Sequence, residues 1–357
     1  MYRNSAFCMM DKSMLNFCGF SRFMDECTLP KRIVISLKRK HAIGGEKWQL
    51  LPVCACRSWS LPATIKMKRK SDKAWYALFV LPLVFVFTTV VIIPFLIGIG
   101  YSFISWDGMP LNEKTFVGFE NFMNLFSDKR FMESARHTLT FSLISVLLIN
   151  VIGLAFALSV TGKLRVKNAA RSMLFTPYLI GGLILGYIWK FIFTDVFQSI
   201  GNLTGLNHFF FSWLLHPKYA LAAMIVVATW QMAGYIMIIY INGIQSLPED
   251  VIEAAKVDGA GYWQALFHIK FPLLMPSFTI CLFMTLSNCF KIFDINFSLT
   301  GGGPNNATEM MAMNIYNEIF SLNHFGYGQA KAIVFFISVA IITLMQVSFT
   351  KKREVEM

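Results

Sequence analysis

Six stretches of the chain are apolar enough and long enough to cross a lipid bilayer as helices. Such a helix needs about 20 mostly apolar residues. The six stretches lie near 75–103, 138–160, 172–193, 220–244, 275–297 and 330–350. Because backbone groups in lipid must find their hydrogen bonds within the segment, we expect all six to be helical. The pattern therefore predicts an all-α, polytopic membrane protein with six transmembrane helices.

The composition and the net charge both agree with a membrane protein. Hydrophobic residues make up 55% of the chain, charged residues only 15%, and the mean hydropathy is +0.54. A soluble domain needs more polar surface than this, so the soluble classes are excluded. The net charge of +12 would also suit nucleic acid. However, the basic residues cluster beside the apolar stretches, as the positive-inside rule expects, so we predict a lipid bilayer as partner and no nucleic acid.

The distribution of basic residues also predicts the orientation of the chain. Lysines and arginines cluster on one side of the predicted spans, at 66–73, 163–171, 256–270 and 351–353. The loops on the other side hold several acidic residues and fewer basic ones; these loops are 104–137, 194–219 and 298–329. Basic loops remain in the cytoplasm. We therefore predict a multi-pass protein of the cell (inner, cytoplasmic) membrane with both termini in the cytoplasm.

Residues 1–66 differ from the rest of the chain. They contain no apolar run long enough to span a bilayer, and they hold five of the seven cysteines. Cys54 and Cys56 have no second pair of cysteines or histidines nearby, so a zinc site is not expected. From Met67 the sequence MKRKSDK leads directly into the first span. We expect residues 1–66 to be a disordered or mispredicted N-terminal extension and residues 67–357 to form the membrane domain.

The loop at 246–276 has the local signals of a short, capped helix. Pro248 suits the first turn of a helix, and the two acidic residues after it favour the positive end of the helix dipole. Ala254 and Ala255 follow at helical spacing and are predicted to share one face, where they permit close approach to a partner. Gly259 can end the helix by adopting a positive φ. The pattern predicts a cytoplasmic helix that docks in a groove of another protein.

This loop closely resembles the EAA loop of binding-protein-dependent ABC importer permeases, in the carbohydrate-uptake branch that includes the maltose and glycerol-phosphate permeases. The matching residues are Glu253, Ala254, Ala255, Asp258, Gly259, Ala260 and Phe267. An outer loop with the sequence Gly301-Gly302-Gly303-Pro304 resembles the same branch, so the resemblance covers about 75–350. It implies the type I ABC importer permease architecture, in which the EAA loop forms a coupling helix that contacts the ATPase subunit.

The resemblance also implies a function and partners. The chain would be the permease subunit of an ATP-driven importer that moves a sugar or oligosaccharide into the cytoplasm. Its partners would be a second homologous permease subunit, two ABC ATPase subunits and an extracytoplasmic solute-binding protein. The sequence has no Walker motif and no visible catalytic arrangement, so we expect no enzyme. We expect no cofactor or metal in this chain, and ATP and magnesium in the partner ATPase.

Polar residues within the predicted spans are candidates for the substrate pathway, because they are costly in hydrocarbon and usually face a cavity. The candidates are Asn288, Lys291 and Asp294 in the fifth span and Trp230, Gln231 and Tyr235 in the fourth. Those in the fifth span are predicted to share one helix face, so that the ammonium and the carboxylate neutralise each other. Aromatic and amide groups together suit a sugar, which stacks its C–H face and hydrogen-bonds its hydroxyls. Helix–helix contacts and snorkelling are the alternative for each residue.

Two other functions remain open at the level of the sequence. An ion-coupled secondary carrier can also have six spans and buried charges, although it would more often show internal repeats, which are not visible here. Within the importer family, the substrate could instead be glycerol phosphate, another phosphorylated sugar or an amino acid. The Gly301–Pro304 sequence and its flanks favour a carbohydrate.

Overall fold

A computed structural model describes residues 71–109, 111–162 and 166–352, and the prediction for residues 1–66 lies outside them. The described chain is almost entirely helical, which confirms the all-α prediction. The helices are α1 Ser71–Phe87, α2 Ile93–Tyr101, α3 Glu120–Ser127, α4 Lys129–Thr161, α5 Lys167–Leu179, α6 Gly182–Phe191, α7 Phe197–Thr204, α8 Pro217–Gln245, α9 Glu249–Val257, α10 Tyr262–Ala265, α11 Phe271–Leu273, α12 Met275–Phe290, α13 Met311–Tyr316 and α14 Phe325–Lys351. A 3-10 turn forms at Trp213–Leu215, and π turns form at Thr88–Ile92, Ile192–Val196, Leu266–Lys270, Asn296–Thr300 and Asn317–Ser321. Among the described residues, strands are confined to one antiparallel pair, β1 Ile104–Ser105 and β2 Thr115–Phe116.

The described residues contain five helical segments that are long and apolar enough to cross a membrane, and a bent pair that makes six if it counts as one span. The five segments are Tyr76–Tyr101, Lys129–Thr161, Gly182–Thr204, Pro217–Gln245 and Phe325–Lys351. The bent pair consists of Trp263–Leu273 and Met275–Phe290, which meet at an angle of 70°. The segments fall in the same order along the chain as the six predicted spans.

The core of the domain forms where α4 packs along α8. Close contact is possible because small residues face the neighbouring helix: a Cβ on Gly153 of α4 would lie 2.9 Å from Ile236 Cγ2 of α8. A buried polar chain adds specificity to this contact. The Tyr240 hydroxyl donates to Asn150 Oδ1 at 2.9 Å, and Asn150 Nδ2 donates to Thr285 Oγ1 of α12 at 3.0 Å. All three side chains are buried, and satisfied hydrogen bonds of this kind connect α4, α8 and α12.

The third predicted span, 172–193, is wrong as a single helix. Helix α5 ends at Leu179, Ile180 and Gly181 adopt extended backbone with ψ of 126° and 138°, and α6 begins the membrane-spanning segment at Gly182. The break frees the carbonyl of Ile180, which accepts a hydrogen bond from Gln231 Nε2 of α8 at 3.0 Å. Such a break is tolerated in a membrane protein because a neighbouring helix satisfies the freed group.

The fifth predicted span, 275–297, is also interrupted. Helix α12 ends at Phe290, residues 291–293 are not helical, and helical structure resumes at 294–300. A tight turn follows, with Gly301 and Gly302 at positive φ. The predicted outer loops contain more helix than expected, since the loop at 298–329 contains α13 and α4 begins at Lys129 rather than near 138.

Candidate functional site

The helix that resembles the EAA loop is α9, and it presents a mixed surface. Glu253, Ala254 and Asp258 are exposed, whereas Ala255 is only 6% exposed. The prediction that the two alanines share one docking face is therefore wrong. Adjacent helical residues point about 100° apart, so Ala255 packs inward while Ala254 remains on the surface.

The end of α9 is closed by a glycine in the left-handed conformation. Gly259 has a φ of +76°, as predicted, and the Ala260 N–H donates to the Ala255 carbonyl at 3.0 Å. This hydrogen bond and the positive φ together form a Schellman motif, which satisfies a carbonyl at the end of the helix. A Cβ on Gly259 would meet no other atom within 4 Å, so only its backbone conformation restricts this position.

Aromatic side chains extend the exposed surface beyond the glycine. The Phe267 ring is 59% exposed and stacks on the ring of Trp263, with centroids 6.0 Å apart and an interplanar angle of 16°. Val257, at the end of α9, is 88% exposed. Apolar side chains exposed on a helical loop of this kind are typical of a surface that is covered by another protein.

The second candidate region is a cavity of about 440 Å³ at the two helix breaks. Its lining includes Gln231, Asn288, Lys291 and Asp294, together with the backbone of Gly181. Non-helical backbone at membrane depth occurs where it lines a cavity or is buried in protein, which agrees with the position of both breaks. The structure therefore brings four of the six predicted pathway residues together.

The predicted shared helix face in the fifth span is wrong, although its three residues meet. Asn288 lies in α12, whereas Lys291 and Asp294 lie beyond its end, in and after the non-helical turn. No ion pair within 4.0 Å joins Lys291 to Asp294, and neither side chain bonds to any other described residue. Both charges are exposed to the cavity and are free to contact a ligand.

The remaining two predicted pathway residues have different positions. Tyr235 lies behind the cavity, where its ring stacks on Tyr178 with centroids 4.4 Å apart, and Tyr178 itself lines the cavity. Trp230 faces a separate apolar crevice with Met173 and Pro177 among its lining residues. The structure therefore does not bring Trp230 to the other candidates.

Glycine at position 182 shapes the cavity wall, a role that the sequence analysis missed. A Cβ on Gly182 would lie 2.8 Å from Asp294 Cβ, so only glycine leaves room for that carboxylate at the start of α6. The signal in the sequence was the Gly181–Gly182 pair within an apolar run, since paired glycines mark a break or a close approach.

A cluster of five charges, three of them buried, lies at the opposite end of the bundle from α9 and was also missed. We call it the ion cluster; it comprises Asp128, Arg130, Glu309, Glu318 and Lys331. Lys331 is fully buried, and its Nζ lies 2.6 Å from Glu318 Oε2 and 2.8 Å from Asp128 Oδ2. Arg130 binds Glu309 through two nitrogens, at 2.8 and 2.6 Å.

The ion cluster joins three parts of the chain. Asp128 precedes α4, Glu309 and Glu318 flank α13, and Lys331 belongs to the second turn of α14. Partial burial alone would raise the pKa of Asp128. The hydrogen bond and the positive charge of Lys331, together with the hydrogen bond from the Phe131 N–H, lower it by more, so the pKa lies below its usual value. The ionised carboxylate is therefore the stable form beside the buried ammonium. The signal in the sequence was a lysine inside the sixth predicted span.

The comparisons with known proteins agree on one family. The model of the family described as "Binding-protein-dependent transport system inner membrane component" matches residues 149–355, more than half of the chain. A probable permease protein of a starch degradation products transport system, from Thermoanaerobacterium thermosulfurigenes, is 46% identical over 82% of this chain and 99% of its own. A permease protein of a multiple sugar-binding transport system, from Streptococcus mutans, is 34% identical over 73% of this chain and 90% of its own.

A solved structure supports the same fold. The crystal structure of a bacterial ABC transporter involved in the import of alginate contains a chain with a TM-score of 0.68 to this one. The two are 22% identical, and the match covers 79% of this chain and 96% of the other. These findings confirm the predicted type I importer permease architecture and the family resemblance. The chain therefore belongs to the inner-membrane components of binding-protein-dependent transport systems, and it is a multi-pass ABC importer permease.

Proposed function

We propose that this permease moves a sugar or oligosaccharide from outside the cell into the cytoplasm. The observation that supports this most directly is the 46% identity, along nearly the whole length of the relative, to a probable permease for starch degradation products. The chemistry of the cavity agrees with a neutral, hydroxylated solute. Amide, ammonium and carboxylate groups line it beside the Tyr178 ring, and this mixture can bond to hydroxyls and stack on a sugar face.

The cavity favours a sugar over glycerol phosphate, although some relatives are named as sn-glycerol-3-phosphate permeases. A phosphate would be attracted to Lys291 but would also meet the unpaired carboxylate of Asp294 in the same cavity. Like charges at close range are unfavourable in a surrounding of low dielectric constant. A neutral sugar can use both groups, one as donor and the other as acceptor.

The proposed transporter contains a second permease, two ATPase subunits that hold ATP and magnesium, and an extracytoplasmic binding protein. Helix α9 would contact an ATPase subunit on the cytoplasmic side, where both termini of this chain would also lie. Glu253 and Ala254 of α9, Asp258 and Gly259 in the turn after it, and Phe267 would transmit ATP-driven closure of the ATPases to the spans. The exposed apolar and acidic side chains of α9 and the stacked rings beyond it support this assignment.

Purification and reconstitution test the proposed function. The full chain, tagged at its C-terminus and extracted gently from native membranes, is expected to co-purify with an ATPase, a second permease and a binding protein. The complex in proteoliposomes is expected to take up the sugar that the binding protein selects from a panel, and only with ATP inside. A chain that purifies alone, with uptake driven by an ion gradient and not by ATP, would instead make it a secondary carrier.

Replacement of Asn288 or Asp294 by alanine is expected to lower the rate of sugar uptake by roughly tenfold to a hundredfold. Each change removes a hydrogen-bonding group that faces the cavity, and bonds to charged or buried groups contribute about 1.5–3 kcal/mol. Assembly should be unaffected, because neither side chain bonds to a residue outside its own helical segment. Asp195→Ala, an exposed carboxylate away from the cavity, is the control. Uptake by the cavity variants at the rate of Asp195→Ala would remove these residues from the pathway.

A further inference from the structure

Four aromatic rings form a continuous row that begins at the cavity. Phe293 lines the cavity and stacks on Phe297 at a centroid distance of 5.6 Å. The Tyr316 ring contacts both, at 5.2 and 5.8 Å. Phe320 lies 5.0 Å beyond Tyr316. We call these residues the aromatic row.

The row leads from the cavity to the surface of the chain. Phe293 and Tyr316 are partly buried, whereas Phe297 is 39% exposed and Phe320 is 65% exposed. The segments that hold it follow the end of α12 that is remote from the 246–276 loop. In the proposed orientation, the exposed end of the row therefore faces the side from which substrate arrives.

One polar group on the row is available to a ligand. Among the described residues, none forms a hydrogen bond with the Tyr316 hydroxyl, although many other polar side chains around α13 are bonded. Tyrosine combines a flat apolar face with a polar tip, and this combination suits a partner that is apolar on one face and hydroxylated at its edge. Pyranose rings have that character.

Aromatic rings in a row can bind a sugar without holding it in one place. The rings follow one another at centroid spacings of 5.0–5.8 Å and at interplanar angles between 26° and 78°, so that a sugar leaving one ring can contact the face or the edge of the next. Passage along a pathway requires sites that are favourable enough to enter and weak enough to leave. Stacking contacts have this strength, at a few-fold in affinity each.

We propose that Phe293, Phe297, Tyr316 and Phe320 form a stacking path along which sugar units pass between the outer face and the cavity. This inference rests on the proposed function and adds a binding surface to it. Longer oligosaccharides occupy several rings at once, so the path contributes more to their uptake than to that of a disaccharide.

The test replaces each aromatic ring by the branched aliphatic side chain of leucine at the three positions beyond the cavity. Phe297→Leu, Tyr316→Leu and Phe320→Leu keep an apolar side chain but remove the flat face. Phe297→Tyr, Tyr316→Phe and Phe320→Tyr keep the face. Phe116→Leu is the matched control, since Phe116 is 76% exposed and lies in β2, outside the row. The reconstituted complex is assayed for uptake of radiolabelled maltose and of a linear maltooligosaccharide.

Each leucine variant is expected to lower kcat/KM for the maltooligosaccharide by roughly threefold to tenfold. The kcat/KM for maltose should fall by a smaller factor. The aromatic variants should lose less of the kcat/KM for the maltooligosaccharide than the leucine variants at the same positions, and Phe116→Leu should transport like the unmodified complex. Leucine variants that transport both sugars normally would overturn the path while the proposed function stands. Loss of the second permease from the purified leucine variants would place the rings in a subunit interface and would also overturn it. An unmodified complex that takes up no sugar with ATP would overturn the proposed function itself.

Discussion

Replacement of Gly259 by valine is expected to uncouple ATP hydrolysis from uptake. The φ of +76° at this position costs about 1–2 kcal/mol for a residue with a Cβ, and more for a β-branched one. Valine would favour a negative φ and break the hydrogen bond from the Ala260 N–H to the Ala255 carbonyl. Helix α9 would then end differently and present its exposed side chains at another angle. Sugar taken up per ATP hydrolysed, measured in proteoliposomes, should fall by roughly tenfold.

The same loop provides a close control for this change. Gly261 lies two residues further on, has no positive φ, and would place a Cβ more than 4 Å from other atoms, as Gly259 would. Gly261→Val should therefore retain coupling. Gly259→Asn should retain much of it, because asparagine tolerates the left-handed region. Unchanged uptake per ATP in Gly259→Val would show that the turn does not position α9 for the ATPase.

Features that depend on neighbours in the sequence were predicted well. The start of α9 and its end at Gly259 both follow from the conformational preferences of single residues. The apolar stretches likewise predicted the order of the membrane segments, and their number if the bent pair counts as one span, because hydropathy depends only on local composition. These are the parts of the fold that short-range interactions determine.

The helix breaks could not be predicted from local composition. The run through Ile180 and Gly181 stays apolar, so a hydropathy window continues across it. The break is stabilised by Gln231, which is far away in the sequence and donates to the freed carbonyl. Breaks of this kind depend on a tertiary contact, and the glycine pair is only a weak sign of it.

Which residues line the cavity depends on how each helix is rotated about its axis. Gln231 and Trp230 are neighbours in α8, yet the first faces the cavity and the second faces a different crevice. A sequence pattern places both in the same span but does not determine the direction of either side chain. The contact between α5 and α8, where Gly234 packs against the backbone of Leu174, fixes that rotation.

The ion cluster shows that a charged residue in a predicted loop need not be exposed to water. Asp128, Glu309 and Glu318 were assigned to aqueous outer loops because they lie between predicted spans. In the structure, α13 folds back against α4 and α14, and two of these carboxylates become almost fully buried. Buried charges require partners, and the required partners lie in the first turn of α4 and the second turn of α14.

Replacement of Lys331 by methionine is therefore expected to destabilise the folded permease by about 3–5 kcal/mol, the usual cost of breaking a buried ion pair. Methionine fills a similar volume, so the main loss is electrostatic. The Glu318 carboxylate, 6% exposed, would lose an ammonium at 2.6 Å, and Asp128 would lose the same partner at 2.8 Å. We expect a lower apparent Tm of the purified complex. The Tm is measured in detergent by size-exclusion chromatography of samples heated to increasing temperatures.

Two further variants separate the lost charge from a general effect of removing lysine. Lys190→Met removes an exposed lysine of α6 that has no ion pair among the described residues, and it should leave the apparent Tm unchanged. The double variant Lys331→Met with Glu318→Gln should recover part of the loss, because it removes the more deeply buried of the two carboxylates that have lost the ammonium. Contacting residues show such non-additive effects, whereas independent ones do not. Equal Tm values for Lys331→Met and Lys190→Met would mean that the cluster does not hold α13 between α4 and α14.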